Sequence, residues 1–224
     1  MRFTKRRREF PVSRWAAKQA MSELPELAGR AVDPALLEVR HHPSGAPEAW
    51  FDGRPLPVGI SLSDRAGWAV CLLGLGPGAV GCDLELVEPR SAAFVRDFFT
   101  ARERRFIGDS DLRANLVWSA KESALKVLRT GLRRDARTVE VTVRKGTSGW
   151  SALAVRVDAA RTLPGWWARY GGFLLTVATA VPTPPPTAID GVAALGTATP
   201  VHSWLDAPVS PAHTPEPFLA PMRR

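Results

Sequence analysis

From Asp111 to Thr130 the chain runs twenty residues with neither glycine nor proline. Such a run of helix formers predicts one uninterrupted helix over 112–130, closed by Gly131. Leu116, Ala120, Ser123 and Val127 put small and apolar side chains on one face. That face suits packing, so the rest of the chain must supply a surface to cover it. A neighbouring stripe at i, i+4 and i+8 carries Trp118, Glu122 and Lys126: an aromatic wall, a carboxylate and a cation.

A second segment offers a partner for that stripe. Ala79-Val80-Gly81-Cys82-Asp83-Leu84-Glu85-Leu86 reads as a strand. Alternate side chains of a strand share a face, so Asp83 and Glu85 point one way and Leu84 and Leu86 the other. Two carboxylates about 7 Å apart on one face repel unless a cation lies between them. A hard divalent ion is the usual answer, and Mg²⁺ needs only two or three carboxylates when phosphates and water complete its shell. Asp83, Glu85 and Glu122 are therefore the candidate metal ligands, with Lys121 and Lys126 placed for substrate phosphate. Each piece alone is ordinary: Asp-x-Glu is common on solvated strands, and Glu122 with Lys126 is a common surface pair. Together, with Gly81 ahead of one and Trp118 ahead of the other, they are far more specific.

Gly81-Cys82-Asp83-Leu84-Glu85, then Phe98-Phe99 and Glu103, then Trp118-Ser-x-Lys121-Glu122-Ser-x-x-Lys126, resembles the 4′-phosphopantetheinyl transferases. The likeness is to the larger type that modifies carrier proteins of polyketide, nonribosomal-peptide and fatty-acid synthesis. It extends upstream to Gly59-Ile60-Ser61-Leu62-Ser63 and to the Arg-rich N-terminal helix, covering roughly residues 5–181. The resemblance implies an α+β fold of two pseudo-symmetric lobes with the active site between them. The N-terminal lobe is expected over 1–90, the C-terminal lobe over 91–181, and a Pro-rich, largely irregular tail over 182–224. A weak internal echo of helix followed by strands, roughly 5–90 and 91–181, agrees with this.

The resemblance also implies a reaction. Phosphopantetheine passes from coenzyme A to a serine hydroxyl of an apo acyl or peptidyl carrier protein, releasing adenosine 3′,5′-bisphosphate. Charge builds on phosphoryl oxygens, so positioning and neutralisation do most of the catalysis. Mg²⁺ (or Mn²⁺) on Asp83, Glu85 and Glu122 would bridge the pyrophosphate. Glu122 would accept the serine proton, directly or through a metal-bound water, and Lys126, with Lys121, would bind phosphate oxygens. Coenzyme A contacts are implied for Arg14, Ser63 and the residue at position 64. Many members carry His at that position to meet the 3′-phosphate, whereas this chain has Asp64. Either Asp64 turns away and Arg65 takes over, or coenzyme A binding is altered. Ala46 likewise stands where relatives often have a cation.

Composition agrees with a soluble protein that meets anions. Net charge is +8, with 30 Lys and Arg against 22 Asp and Glu, which favours phosphate-rich or acidic partners such as a carrier domain. Cys71 and Cys82 lie in apolar strand-like stretches and are expected as buried thiols in a reducing compartment. The four histidines have no metal-ligand spacing. The basic N-terminus is interrupted by Pro11, Arg14 and Lys18, so it is no signal peptide. Trp68–Val80 is too broken by glycine to span a membrane. A cytoplasmic monomer with no nucleic-acid or membrane partner is the expectation, placed in secondary-metabolite synthesis by the resemblance.

The remaining elements follow from periodicity. Residues 5–29 read as helix broken near Pro11 and Pro25, with Ala17, Ala20, Met21 and Leu24 as a buried stripe. Leu37–Arg40 alternates as a strand before the turn His42–Pro47. Residues 91–108 look helical, with a second start at Thr100 and aromatic anchors packed in the core. Strands are expected over 139–143, 152–157, 166–170 and 173–179, the last two joined by Gly171-Gly172. Ten of the 20 prolines fall in 182–224, where only Val201–Leu205 and Phe218-Leu219 offer apolar docking points. Two rival functions stay open. A Mg²⁺-dependent nuclease would use the same carboxylates, but its common acid-x-Lys strand pattern is replaced here by Glu85-Leu86-Val87. A carrier-binding protein that has lost efficient transfer is the other, motivated by Ala46 and Asp64.

Overall fold

Ala17, Met21, Leu24 and Leu27 recur on one side of the leading segment and are all buried. The structure, a computed structural model, describes residues 2–76, 78–144, 149–189 and 191–203, with side chains from residue 11 onward. The leading helix α1 (Arg2–Ser22) continues through Pro11, where a break was expected, and stops before Pro25. The anchored residues beyond Pro11 hold the rod against two hairpins. One is β1 (Leu37–His41) and β2 (Pro47–Phe51), extended by the short β3 (Arg54–Pro55). The other is β4 (Val58–Arg65) and β5 (Trp68–Leu75). Leu37, Val39, Ala49 and Ile60 join the α1 side chains in one apolar cluster.

The largest sheet is antiparallel and five-stranded, in the order β6 (Val80–Leu86), β10 (Phe173–Thr179), β9 (Thr162–Tyr170), β8 (Ser151–Arg156), β7 (Glu140–Val143). It takes β6 from before residue 90 and its other strands from after it. Gly171-Gly172 makes the tight β9–β10 turn, as expected, with Tyr170 opposite Phe173. Two short helices, α2 (Ala92–Phe98) and α3 (Ala101–Ile107), lead into α4 (Asp111–Val127), which lies on the sheet. Phe99, Val117, Leu125, Val155 and Leu163 form the core beneath it. Burying each such side chain is worth about 1.5–3 kcal/mol. Phe94 and Phe98 each meet Trp118 edge to face, so Trp118 is a core residue rather than a wall of the cleft.

The contact of α4 with the sheet depends on one missing side chain. A Cβ at Gly81 would sit 2.0 Å from the Ser123 carbonyl oxygen and 3.0 Å from Lys126 Cβ. Only glycine lets helix and strand approach this closely. Buried hydroxyls then lock the contact. Ser119 Oγ donates to the Asp83 carbonyl oxygen at 3.1 Å, and Ser123 Oγ to that of Thr176 at 3.1 Å.

The end of α4 differs from expectation. The helix stops at Leu128 and is closed by Arg129, left-handed at φ +56°; Gly131 is left-handed too, at φ +51°, but lies two residues further on and opens a 3₁₀ turn. Thr130 N donates to the Leu125 carbonyl and Arg129 N to that of Lys126, which is the Schellman pattern. A side chain in this conformation costs about 1–2 kcal/mol that glycine avoids.

The tail is not wholly irregular. A 3₁₀ turn at Val192–Gly196 buries Leu195 among Cys82, Leu84, Leu86 and Phe173. Val201 N donates to the Ala66 carbonyl at 2.9 Å, and Trp68 Nε1 to that of Thr199 at 3.1 Å. Val201 to Ser203 thus dock on the body, while Trp204, Leu205, Phe218 and Leu219 lie outside the described residues. Cys71 and Cys82 are free thiols, and burial pushes both up in pKa. No helix among the described residues is long and apolar enough to cross a membrane.

Candidate active site

β6 is an edge strand, and its outer N–H groups need acceptors. The serines of β4 supply them. Ser61 Oγ accepts from Cys82 N at 3.0 Å and Ser63 Oγ from Leu84 N at 3.1 Å. Ser63 Oγ in turn donates to Asp83 Oδ1 at 3.0 Å. The role of Ser63 visible here is therefore to orient Asp83. Lys126, reaching from α4, donates to the same Oδ1 at 3.0 Å and to the Cys82 carbonyl at 2.7 Å. Asp83 is thus held through one oxygen by two donors. Its other oxygen, Oδ2, is buried and has no hydrogen-bond partner among the described residues.

Glu122 sits one helical turn before Lys126 and repeats this feature, since its Oε1 is also buried without a partner. Burial, followed by the charge of Asp83, raises its pKa from 4.5 to about 7; Lys126 opposes this and Glu85 adds to it. A buried carboxylate oxygen with no donor is costly. Two of them, close enough for one charge to move the other's pKa, make a place for a cation. Burial works against the Lys126 ammonium, but Asp83, Cys82 and Glu122 outweigh it and hold its pKa above the usual lysine value.

Glu85 is held differently. Arg65 Nε donates to Glu85 Oε2 at 3.2 Å, and an Arg90 Nη2 lies 2.9 Å from the same oxygen. Arg65 also bonds Glu88, which takes the Ser203 hydroxyl from the tail. Burial and Asp83 still push the Glu85 pKa up, against the two arginines. Among the described residues no group of three or more His, Cys, Asp or Glu is arranged to hold a metal. Asp83 and Glu122 fit a divalent ion by their orphaned oxygens, while Glu85 is neutralised by arginine.

Lys121 is not in the cleft. It is fully buried, and its Nζ lies 2.9 Å from Glu103 Oε2 and donates to the carbonyls of Ala136 at 2.8 Å and Val139 at 2.5 Å. Three acceptors satisfy its three donors, so the expectation of a phosphate-binding Lys121 is corrected. A lysine directly before Glu122 points about 100° around the helix from it, into the core. Glu103 completes this joint by closing the α3 capping box with Thr100 and accepting from Val141 N at 2.8 Å.

Beside Lys126 opens a cavity of about 520 Å³, lined by the β1–β2 turn, β4 and the residues after α4. His41, Lys126, Arg129 and Arg133 bring positive or protonatable groups to its wall, and Glu48 is the carboxylate there. Ala46 lines it without charge. Arg14 is bonded to the Val39 carbonyl and lies 3.1 Å from Nε2 of His41, which lines the cavity. Asp64 is exposed and accepts from Ser13 Oγ at 3.4 Å. Arg65 is buried against Glu85 and Glu88, so it does not stand in for a cation at position 64. The sequence reading named Gly81, Ser123 and Arg65 without the contacts they make here, and it missed the roles of Ser119, Arg90, Arg129 and Arg133. Of these four only Ser119, one turn before Ser123 on the helix, left a visible signal.

Residues 79–166 match the model of the 4′-phosphopantetheinyl transferase superfamily (ACPS). The matched stretch contains Asp83, Glu85, Glu122 and Lys126, while Arg14, Ser63 and Asp64 precede it. No curated protein matches the chain.

Proposed function

We propose that this superfamily domain transfers 4′-phosphopantetheine from coenzyme A to a serine of an acidic acyl or peptidyl carrier protein, with adenosine 3′,5′-bisphosphate as the other product. The observation that carries this reading is the pair of orphaned, buried oxygens on Asp83 and Glu122, both acting on Lys126, which itself lines a cavity with a basic wall. Asp83 and Glu122 would hold Mg²⁺ or Mn²⁺, and Glu85, at present bound by Arg65 and Arg90, is the third candidate ligand. A bound divalent ion supplies charge neutralisation at the pyrophosphate.

The chain's own groups do the rest. The serine oxygen attacks the phosphorus next to pantetheine; a new O–P bond forms, the pyrophosphate O–P bond breaks, and the nucleotide leaves with that electron pair. Glu122 would accept the serine proton, directly or through a water on the bound ion. Lys126, fixed by Asp83 and the Cys82 carbonyl, presents its remaining donor to phosphate oxygen. Ser63 keeps Asp83 oriented, and Gly81 keeps α4 close enough for all three to meet. The larger, two-lobed type of transferase is supported by the β4–β5 hairpin, which packs its serines on β6 from outside the matched stretch. The net charge of +8 would steer an acidic carrier toward the cleft.

The test is direct. The protein, coenzyme A, Mg²⁺ and an apo carrier are incubated and the carrier is weighed by mass spectrometry. A gain of one phosphopantetheine is expected, and it should vanish in Glu122→Gln. A second reading, a carrier-binding module without efficient transfer, is favoured by the uncharged Ala46 in the cavity wall. It predicts bound coenzyme A or carrier with no mass gain.

A further inference from the structure

Arg129 occupies a position made for glycine. It is the left-handed residue that ends α4, at φ +56°. Its backbone is fastened from both sides: Arg129 N donates to the Lys126 carbonyl at 3.0 Å, and its own carbonyl accepts from Arg133 Nη2 at 3.0 Å. The same Arg133 Nη2 donates to the Ser44 carbonyl at 3.2 Å, tying this corner to the β1–β2 turn across the cavity. Strain that surrounding bonds over-determine is a pointer to use.

The side chain has something to be used for. It is exposed and lines the cavity of about 520 Å³. Among the described residues its guanidinium makes no hydrogen bond or ion pair. The other cations nearby are already tied to the protein: Lys126 to Asp83 and Cys82, with one donor left over, Arg133 to two carbonyls, and Arg14 to Val39. Ala46 adds no charge. A guanidinium in this place offers a two-pronged donor to a phosphate, which an ammonium cannot match.

We propose that Arg129 is a substrate-binding residue that grips a phosphate of coenzyme A, an assignment that rests on the transferase reading above. It sits three residues beyond Lys126, so a ligand with several phosphates meets both. The cation that this cavity needs stands after α4, on a residue whose backbone geometry alone would select glycine.

Glycine is therefore the discriminating substitution, because it removes the guanidinium and relieves the backbone together. Coenzyme A is titrated calorimetrically into the full chain with Mg²⁺, alongside thermal unfolding of each variant. Arg129→Gly should bind coenzyme A about ten- to a hundredfold more weakly, the loss of one charge-assisted bond, while melting at or above the wild-type temperature. Arg129→Lys should lose less than Arg129→Gly. If the wild type binds coenzyme A and Arg129→Gly binds it equally well, the assignment of Arg129 is wrong and the transferase reading stands. A drop in melting temperature for Arg129→Gly would show a structural role instead and would also overturn the proposal. A wild type that binds no coenzyme A removes the transferase reading itself and this assignment with it.

Discussion

Glu122→Gln separates the electrostatics of the site from its chemistry. In the folded chain the Glu122 carboxyl is lifted from 4.5 to about 7 by burial, then by Asp83. At about 1.4 kcal/mol per unit, that shift is roughly 3 kcal/mol against the ionised form. The sign follows from proton binding. Below pH 4.5 Glu122 is protonated both folded and unfolded, and Gln is a near-isosteric substitute. Between 4.5 and 7 the unfolded chain has released the proton and the folded chain has kept it, so stability falls as pH rises. Above 7 the whole penalty is present in wild type and absent in the variant. Metal-free Glu122→Gln should therefore match wild type near pH 4.5 and exceed it by about 2–3 kcal/mol at pH 8. For a chain of this size that is roughly 4–12 °C in melting temperature. Thermal unfolding across this range in a chelator measures it, and adding Mg²⁺ at pH 8 should then raise the wild type and barely move the variant. Two unfolding curves that stay parallel across pH, or an equal gain from Mg²⁺ in both, would refute the reasoning.

Other perturbations address the scaffold. Gly81→Ala would press a methyl to 2.0 Å from the Ser123 carbonyl. We expect a loss of about 3 kcal/mol or more in denaturant titration, and of transfer even in the fraction that folds. Lys121→Met leaves Glu103 buried without its cation and should cost about 3–5 kcal/mol. Lys126→Ala should melt closer to wild type but lose transfer at least a hundredfold in the carrier-mass assay. Ending the chain at residue 190 removes Leu195 from its cluster and Ser203 from Glu88. The expected loss is about 2–4 kcal/mol, read as a lower urea midpoint.

Much of the site was legible because its chemistry is written in short local patterns. Asp83 and Glu85 share a strand face by period two, and Glu122 and Lys126 share a helix stripe by i, i+4. Both regularities belong to the backbone and need no knowledge of neighbours. The Gly171-Gly172 turn and the helix start at Thr100 were readable for the same reason. Lys121 was misplaced because its neighbour relation to Glu122 in sequence says nothing about which side of the helix meets the core. Its burial required Glu103 and two carbonyls from the segment after α4. Gly131 was the natural choice for the helix end by propensity, yet the Schellman bonds close on Arg129, two residues earlier.

The amino-acid order by itself determined that a carboxylate-bearing strand and a carboxylate-bearing helix exist, and that an anion-seeking cleft is chemically sensible. Tertiary structure alone decided how they meet. It brought Asp83 and Glu122 within electrostatic reach of each other, each with an unused oxygen, drew Glu85 toward Arg65 and Arg90, and laid part of the tail over the ion cluster at Glu88. The division has a physical cause: periodicity is enforced by bonds along the chain, whereas which charge finds which partner depends on segments tens of residues apart competing for the same buried space.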